Sequence, residues 1–141
     1  MKNSNRKNTV LLVDDDQDYY QLTVDAVKQA GREWDIRWVK DGAEAMDYLL
    51  HEGVYQDAYR YPVPALILLD LNMPKKNGFE TLEEIRSNPA LKNIPVAMMT
   101  TAHSNETIKK CYALGADSFF TKPVNFDRLV DDIRIIDQLM K

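Results

Sequence analysis

The sequence has a single cysteine, Cys111, so an internal disulfide is excluded and so is a structural zinc site built on thiolates. Its two histidines, His51 and His103, are not at metal-ligand spacing. His103 is expected to be a loop or cap residue, and Cys111 a small packing residue rather than a redox site. No apolar run approaches the ~18 residues of a membrane span. There is no excess of positive charge: the formal net charge is −4, which argues against nucleic acid as the partner. Nothing repeats at a fixed period, and no segment is low in complexity. The first eight residues, MKNSNRKN, are basic like the start of a signal peptide, but the apolar run after them stops at Asp14–Asp16. They are expected to form a flexible tail (1–8) ahead of one domain (9–141) in a cytoplasmic protein.

What remains has the composition of one soluble globular domain: 141 residues, 45% hydrophobic and 28% charged. Strand and helix patterns alternate along it. Residues 10–13, 65–69, 96–99 and 118–120 are short apolar runs of the buried parallel-strand kind, and 35–39 reads as a half-buried strand. Between them lie helical stretches at 17–30, 42–51, 78–87 and 105–114, and a last amphipathic helix covers 126–140. Tyr20, Val24 and Val27 form the stripe of the first helix, and Gly31 and Gly115 end the first and fourth. Trp34 and Trp38 flank the second strand and are expected to cover an edge. Five strands and five helices in alternation predict a doubly wound α/β sandwich, with flavodoxin-like strand order 2-1-3-4-5 as the favoured option.

The informative residues follow the apolar runs. Asp14 and Asp15 follow the first, Asp70 the third, Thr100 the fourth and Lys122 the fifth. In a parallel sheet the carboxyl ends of the strands share one edge, where ligands bind, so these residues would converge on one pocket. Asp16 or Asp18 is explained by helix capping. Capping does not explain three acids at adjacent strand ends, which repel unless a cation intervenes. A hard divalent ion such as Mg²⁺ accepts two or three carboxylates plus a backbone carbonyl, and Asn72, two residues past Asp70, offers one. Asp70 is also a candidate phosphoryl acceptor through an aspartyl phosphate. Pro74 and Gly78 would hold its loop against the pocket. Lys122 supplies a point charge for phosphate oxygens and Thr100 a hydroxyl. A cis Lys122–Pro123 bond would turn the ammonium back over the strand edge.

At these residues the sequence resembles a known family. Val13-Asp14-Asp15, Leu69-Asp70-Leu71-Asn72-Met73-Pro74 with Gly78, Met99-Thr100 and Phe120-Thr121-Lys122-Pro123 resemble the receiver domain of two-component response regulators, over about residues 9–140. The resemblance implies that Asp70 takes a phosphoryl group from a phosphohistidine on a sensor histidine kinase. It implies that Asp14, Asp15, Asp70 and the Asn72 carbonyl hold Mg²⁺, that Thr100 and Lys122 bind the phosphoryl oxygens, and that Phe119 is the switch aromatic. It further implies self-phosphotransfer and autodephosphorylation. No basic helix-turn-helix follows the domain, so the expected output is a protein partner, a phosphorelay protein or a phosphorylation-dependent homodimer, with no DNA and no membrane involved.

The tyrosine-bearing connection 52–64 resembles that of single-domain, CheY-like regulators paired with bacterial phytochromes; its tyrosines could equally pack it onto the domain. Thr101 would narrow the path of attacking water, and Ala102 offers no acid or amide to orient it. Two rivals remain. A haloacid-dehalogenase-like phosphohydrolase needs a second acid where Asn72 stands. A pseudo-receiver would bind partners without phosphorylation.

Overall fold

The computed structural model describes residues 7–73, 75–101 and 103–141. The expected tail therefore falls mostly outside the described residues, as do Pro74 and Ala102. Five strands, β1 (Asn8–Val13), β2 (Trp34–Val39), β3 (Leu66–Leu69), β4 (Val96–Thr100) and β5 (Ser118–Thr121), form one parallel sheet in the order β2-β1-β3-β4-β5. The crossovers are α1 (Gln17–Gln29), α2 (Gly42–Leu49), α3 (Gly78–Ser87) and α4 (Asn105–Ala113); α5 (Phe126–Asp137) closes the chain. The expected flavodoxin-like architecture is the one observed.

The apolar runs conceal a period of two. Val10, Leu12, Leu66, Leu68, Ala97 and Met99 face one layer, with Ala26, Val27, Leu129, Ile133 and Ile136 from α1 and α5. Leu11, Val13, Ile67, Leu69, Val96 and Met98 face the other, with Met46, Leu82, Ile85 and Cys111 from α2, α3 and α4. Successive side chains of a strand point to opposite faces, and helices cover both here, so both sets are apolar. Cys111 is fully buried, and burial pushes its thiol up. It packs, as expected.

Each main helix begins at a residue that bonds its free amides. Asp16, Asp41, Asn77, Ser104 and Asn125 cap α1 to α5 in order, and Asn77 forms a capping box with Glu80. Gly31 and Gly115 take positive φ after α1 and α4, as a C-terminal glycine should. One helix differs from its sequence reading. The buried stripe of α1 is Tyr19, Thr23, Ala26 and Val27, while Tyr20 and Val24 lie on its flank. Tyr20 instead stacks on Trp38 of the edge strand β2, at 4.7 Å between ring centroids, and Tyr19 takes the inward place.

The connection 52–64 carries a short 3-10 turn at Gly53–Tyr55 and is packed onto the domain. Tyr48, Tyr55 and Tyr61 meet with centroid separations of 4.9 to 5.9 Å. Tyr55 donates to Glu44 at 2.6 Å, Tyr48 to the Pro62 carbonyl at 2.9 Å, and Arg37 to the Arg60 carbonyl at 2.8 Å. The sequence left the role of these tyrosines open; Tyr55 and Tyr61 anchor the loop, and Tyr59 stands exposed.

Candidate functional site

Asp14, Asp15 and Asp70 each bring a carboxylate oxygen to within 4.8 Å of the others. Asp14 and Asp15 follow β1, and Asp70 follows β3, its hydrogen-bonded neighbour. The ladder runs one residue further, with the Asp70 amide donating to the Val13 carbonyl at 3.1 Å and the Asp14 amide to the Val39 carbonyl at 3.1 Å. The strand ends thus hold the acids together whatever their charges prefer. Asp14 and Asp70 are buried, at 1% and 5% exposure, and Asp15 is exposed.

Lys122 enters from the end of β5. Its Nζ lies 2.6 Å from Asp14 Oδ2 and 3.2 Å from Asp70 Oδ2. The Lys122–Pro123 bond is trans, since no cis peptide occurs among the described residues. The expected cis turn is therefore wrong and also unnecessary. The Lys122 amide donates to the Thr100 carbonyl at 2.9 Å, and the four-carbon stem spans the remaining distance. Thr100 itself is fully buried at the end of β4. Asn72 is exposed, and its amide donates to Asp70 Oδ1 at 3.3 Å. Gly78 lies where a Cβ would strike the Asp70 carbonyl oxygen and come 2.7 Å from Leu71 Cα. Only glycine lets the α3 start close on the acid's own backbone. Phe119 is half-buried against the core on the α2–α3–α4 side.

The electrostatics are incomplete without a cation. Two carboxylates less than 5 Å apart repel by roughly 3 kcal/mol at an effective dielectric of 20. Three acids and one ammonium leave a charge of −3 + 1 = −2 when all are ionised. Burial raises the Asp14 carboxyl above its ordinary value, although Lys122 pulls it down. Burial works against the Lys122 charge too, but the hydrogen bond and charge of Asp14, then those of Asp70, outweigh it and hold the ammonium up. A clustered, all-oxygen donor set with excess negative charge fits a hard divalent cation.

Two aromatic contacts escaped the sequence reading. The Lys122 ammonium sits 4.4 Å from the Tyr19 ring centroid, a cation–π contact on its inner side. The Trp38 indole N–H donates to the Asp14 backbone carbonyl at 2.7 Å. Nothing in the local sequence pattern points to either contact. Trp34 and Trp38 do not merely cover an edge: they lie within β2, where Trp34 is buried and Trp38 half-buried. His103 bonds the Thr101 carbonyl at 2.8 Å and stays in its loop, as expected.

Known proteins are similar to this chain in sequence and fold. Residues 10–134 match the response regulator receiver domain family. The response regulator Rcp1 of Synechocystis is 38% identical over 126 residues, covering 89% of this chain and 84% of Rcp1. The crystal structure of a phosphorylated cyanobacterial phytochrome response regulator, RcpA, superposes with a TM-score of 0.85 at 36% identity, covering 96% of this chain and 94% of that one. The Mn²⁺-bound form of Rcp1 superposes at 0.82 with 36% identity, covering 93% and 92%.

Proposed function

The chain belongs to the response regulator receiver domain family, and from that premise we propose that it accepts a phosphoryl group on Asp70 from a sensor histidine kinase. The observation that carries this reading is the pocket itself: three clustered carboxylates with one ammonium bridging two of them. An Asp70 carboxylate oxygen attacks the phosphorus of a phosphohistidine. The new O–P bond forms as the P–N bond breaks, and the electron pair leaves on the imidazole nitrogen. Lys122 is already within reach of Asp70 and meets the incoming phosphoryl oxygens. The Thr100 hydroxyl donates to another oxygen, and Phe119 turns inward behind it.

Asp14, Asp15, Asp70 and the Asn72 carbonyl would hold Mg²⁺, which when bound neutralises charge on the transferring phosphoryl oxygens. The Mn²⁺-bound form of Rcp1 supports a divalent site in a relative of this kind. Phosphorylation adds roughly −1.5 to −2 charge at pH 7, and the conformational shift follows from contacts that differ between the two states. The resemblance to RcpA and Rcp1 supports a kinase of the phytochrome type as input and a protein partner as output. Thr101, exposed beside the site, slows hydrolysis by narrowing the path of water; Thr101→Ala shortens the phosphoryl lifetime.

The test is an incubation with Mg²⁺ and a small acyl phosphate, followed by intact mass. The parent gains one phosphoryl group and Asp70→Asn gains none. No gain in the parent would favour the pseudo-receiver.

A further inference from the structure

The end of β2 grips the acid pair from two sides. The Asp14 amide donates to the Val39 carbonyl, which adds one rung to the β1–β2 ladder. The next rung cannot form, because the chain turns away at Lys40, whose amide bonds Glu44, and at Asp41, which caps α2. The Trp38 side chain takes its place, with the indole N–H on the Asp14 carbonyl at 2.7 Å. That carbonyl belongs to the peptide joining Asp14 to Asp15. Asp14 Oδ1 is held separately by the Asp16 amide at 2.9 Å.

Trp38 is itself held. Its ring stacks on Tyr20 at 4.7 Å and 9°, and the Lys40 ammonium lies 5.6 Å from its centroid. Tyr20 adjoins Tyr19, the residue against Lys122. Two consecutive aromatic residues of α1 thus brace opposite parts of one pocket.

The geometry points to Trp38 as a positioning residue: its indole N–H fixes the plane of the Asp14–Asp15 peptide and so aims the exposed Asp15 carboxylate at the cluster before a cation arrives. The inference rests on the reading of the pocket as a divalent-cation site. Without the indole N–H, the cation itself must order that peptide, and binding weakens by the worth of about one neutral hydrogen bond.

Trp38→Phe keeps an aromatic ring to stack on Tyr20 and removes the donor together with the second ring of the indole. Calorimetric titration with Mg²⁺ should show Kd raised about five-fold in W38F. Phosphorylation by an acyl phosphate should slow at subsaturating Mg²⁺ and recover at saturating Mg²⁺. A merely structural role would lower the melting temperature and leave Kd alone. A W38F Kd within two-fold of the parent's overturns the proposal while the site reading stands. A parent that binds no Mg²⁺ at millimolar concentration overturns both. If W38F does not fold, the parent's indole ¹H–¹⁵N resonances decide. The Trp38 proton should exchange slowly with solvent and shift with Mg²⁺ while Trp34 does not; rapid exchange or an unmoved Trp38 signal overturns the proposal.

Discussion

β2 carries one tryptophan as its first residue and another as its last but one, and each indole N–H serves an aspartate in a different way. At the start of the strand, Trp34 donates to the Asp137 carboxylate at 2.8 Å, Arg32 to its other oxygen at 3.0 Å, and Lys141 lies 3.4 Å away. Burial pushes the Asp137 carboxyl up, but the Trp34 bond and the Lys141 and Arg32 charges outweigh it and hold the group below its ordinary value. At the end of the strand, Trp38 donates to the Asp14 backbone and leaves the carboxylate alone. There burial wins, and the Asp14 carboxyl rises. Asp137, whose carboxylate meets an indole N–H and two cations of its own, is a structural tie between β2 and α5. Asp14 shares one lysine with Asp70 beside a third acid, Asp15, and that excess of negative charge fits another cation.

Substitutions separate the two. The largest contrast is in phosphoryl uptake: Asp70→Asn abolishes it by intact mass, and Asp137→Asn leaves it at the parent level. Stability should reverse the contrast. Asp137→Ala strands the Trp34 N–H and the Arg32 charge and costs about 3 kcal/mol in urea unfolding. Asp14→Asn removes a poorly compensated charge and raises stability instead.

Cation binding gives the next effect. Mg²⁺ at a hundred times its Kd should stabilise the parent by about 2.7 kcal/mol. Asp137→Asn should keep that gain, and Asp14→Asn should lose most of it. The smallest effect is in the pH profile, without added metal. The Asp137 value is lowered on folding, so its contribution is complete above the unfolded value of 3.8 and fades as pH falls through the folded value below it. The Asp14 value is raised, so its contribution is present below 3.8 and fades as pH rises through the folded value above it. Comparing Asp137→Asn and Asp14→Asn with the parent by urea unfolding from pH 3 upward should give differences of opposite slope. Equal slopes would mean the two acids are not distinguished by their partners.

Much of the fold was legible because it depends on short-range pattern. Apolar runs flanked by helix-period stretches placed all five strands within a residue or two, and Gly78–Ser87 was read to the residue. The acids were legible because a parallel sheet brings strand ends to one edge. The misreadings share a cause. The cis turn at Lys122–Pro123, the stripe of α1 and the work of Trp38 all depend on what faces a side chain across the sheet, and a local pattern carries no such information.

Sequence alone determined the order of elements, the two apolar faces and the residues at the strand ends, since periodicity and capping act over a few positions. Only the tertiary structure decided how the charges are shared. Lys122 lies 108 residues from Asp14 and 52 from Asp70, yet its ammonium bridges the two because β5, β1 and β3 end at one edge. Trp34 and Trp38, the same residue type on the same strand, bond the carboxylate of one aspartate and only the backbone of the other. The difference lies in what packs opposite each: α5 with Asp137 at one end, the first residue past β1 at the other.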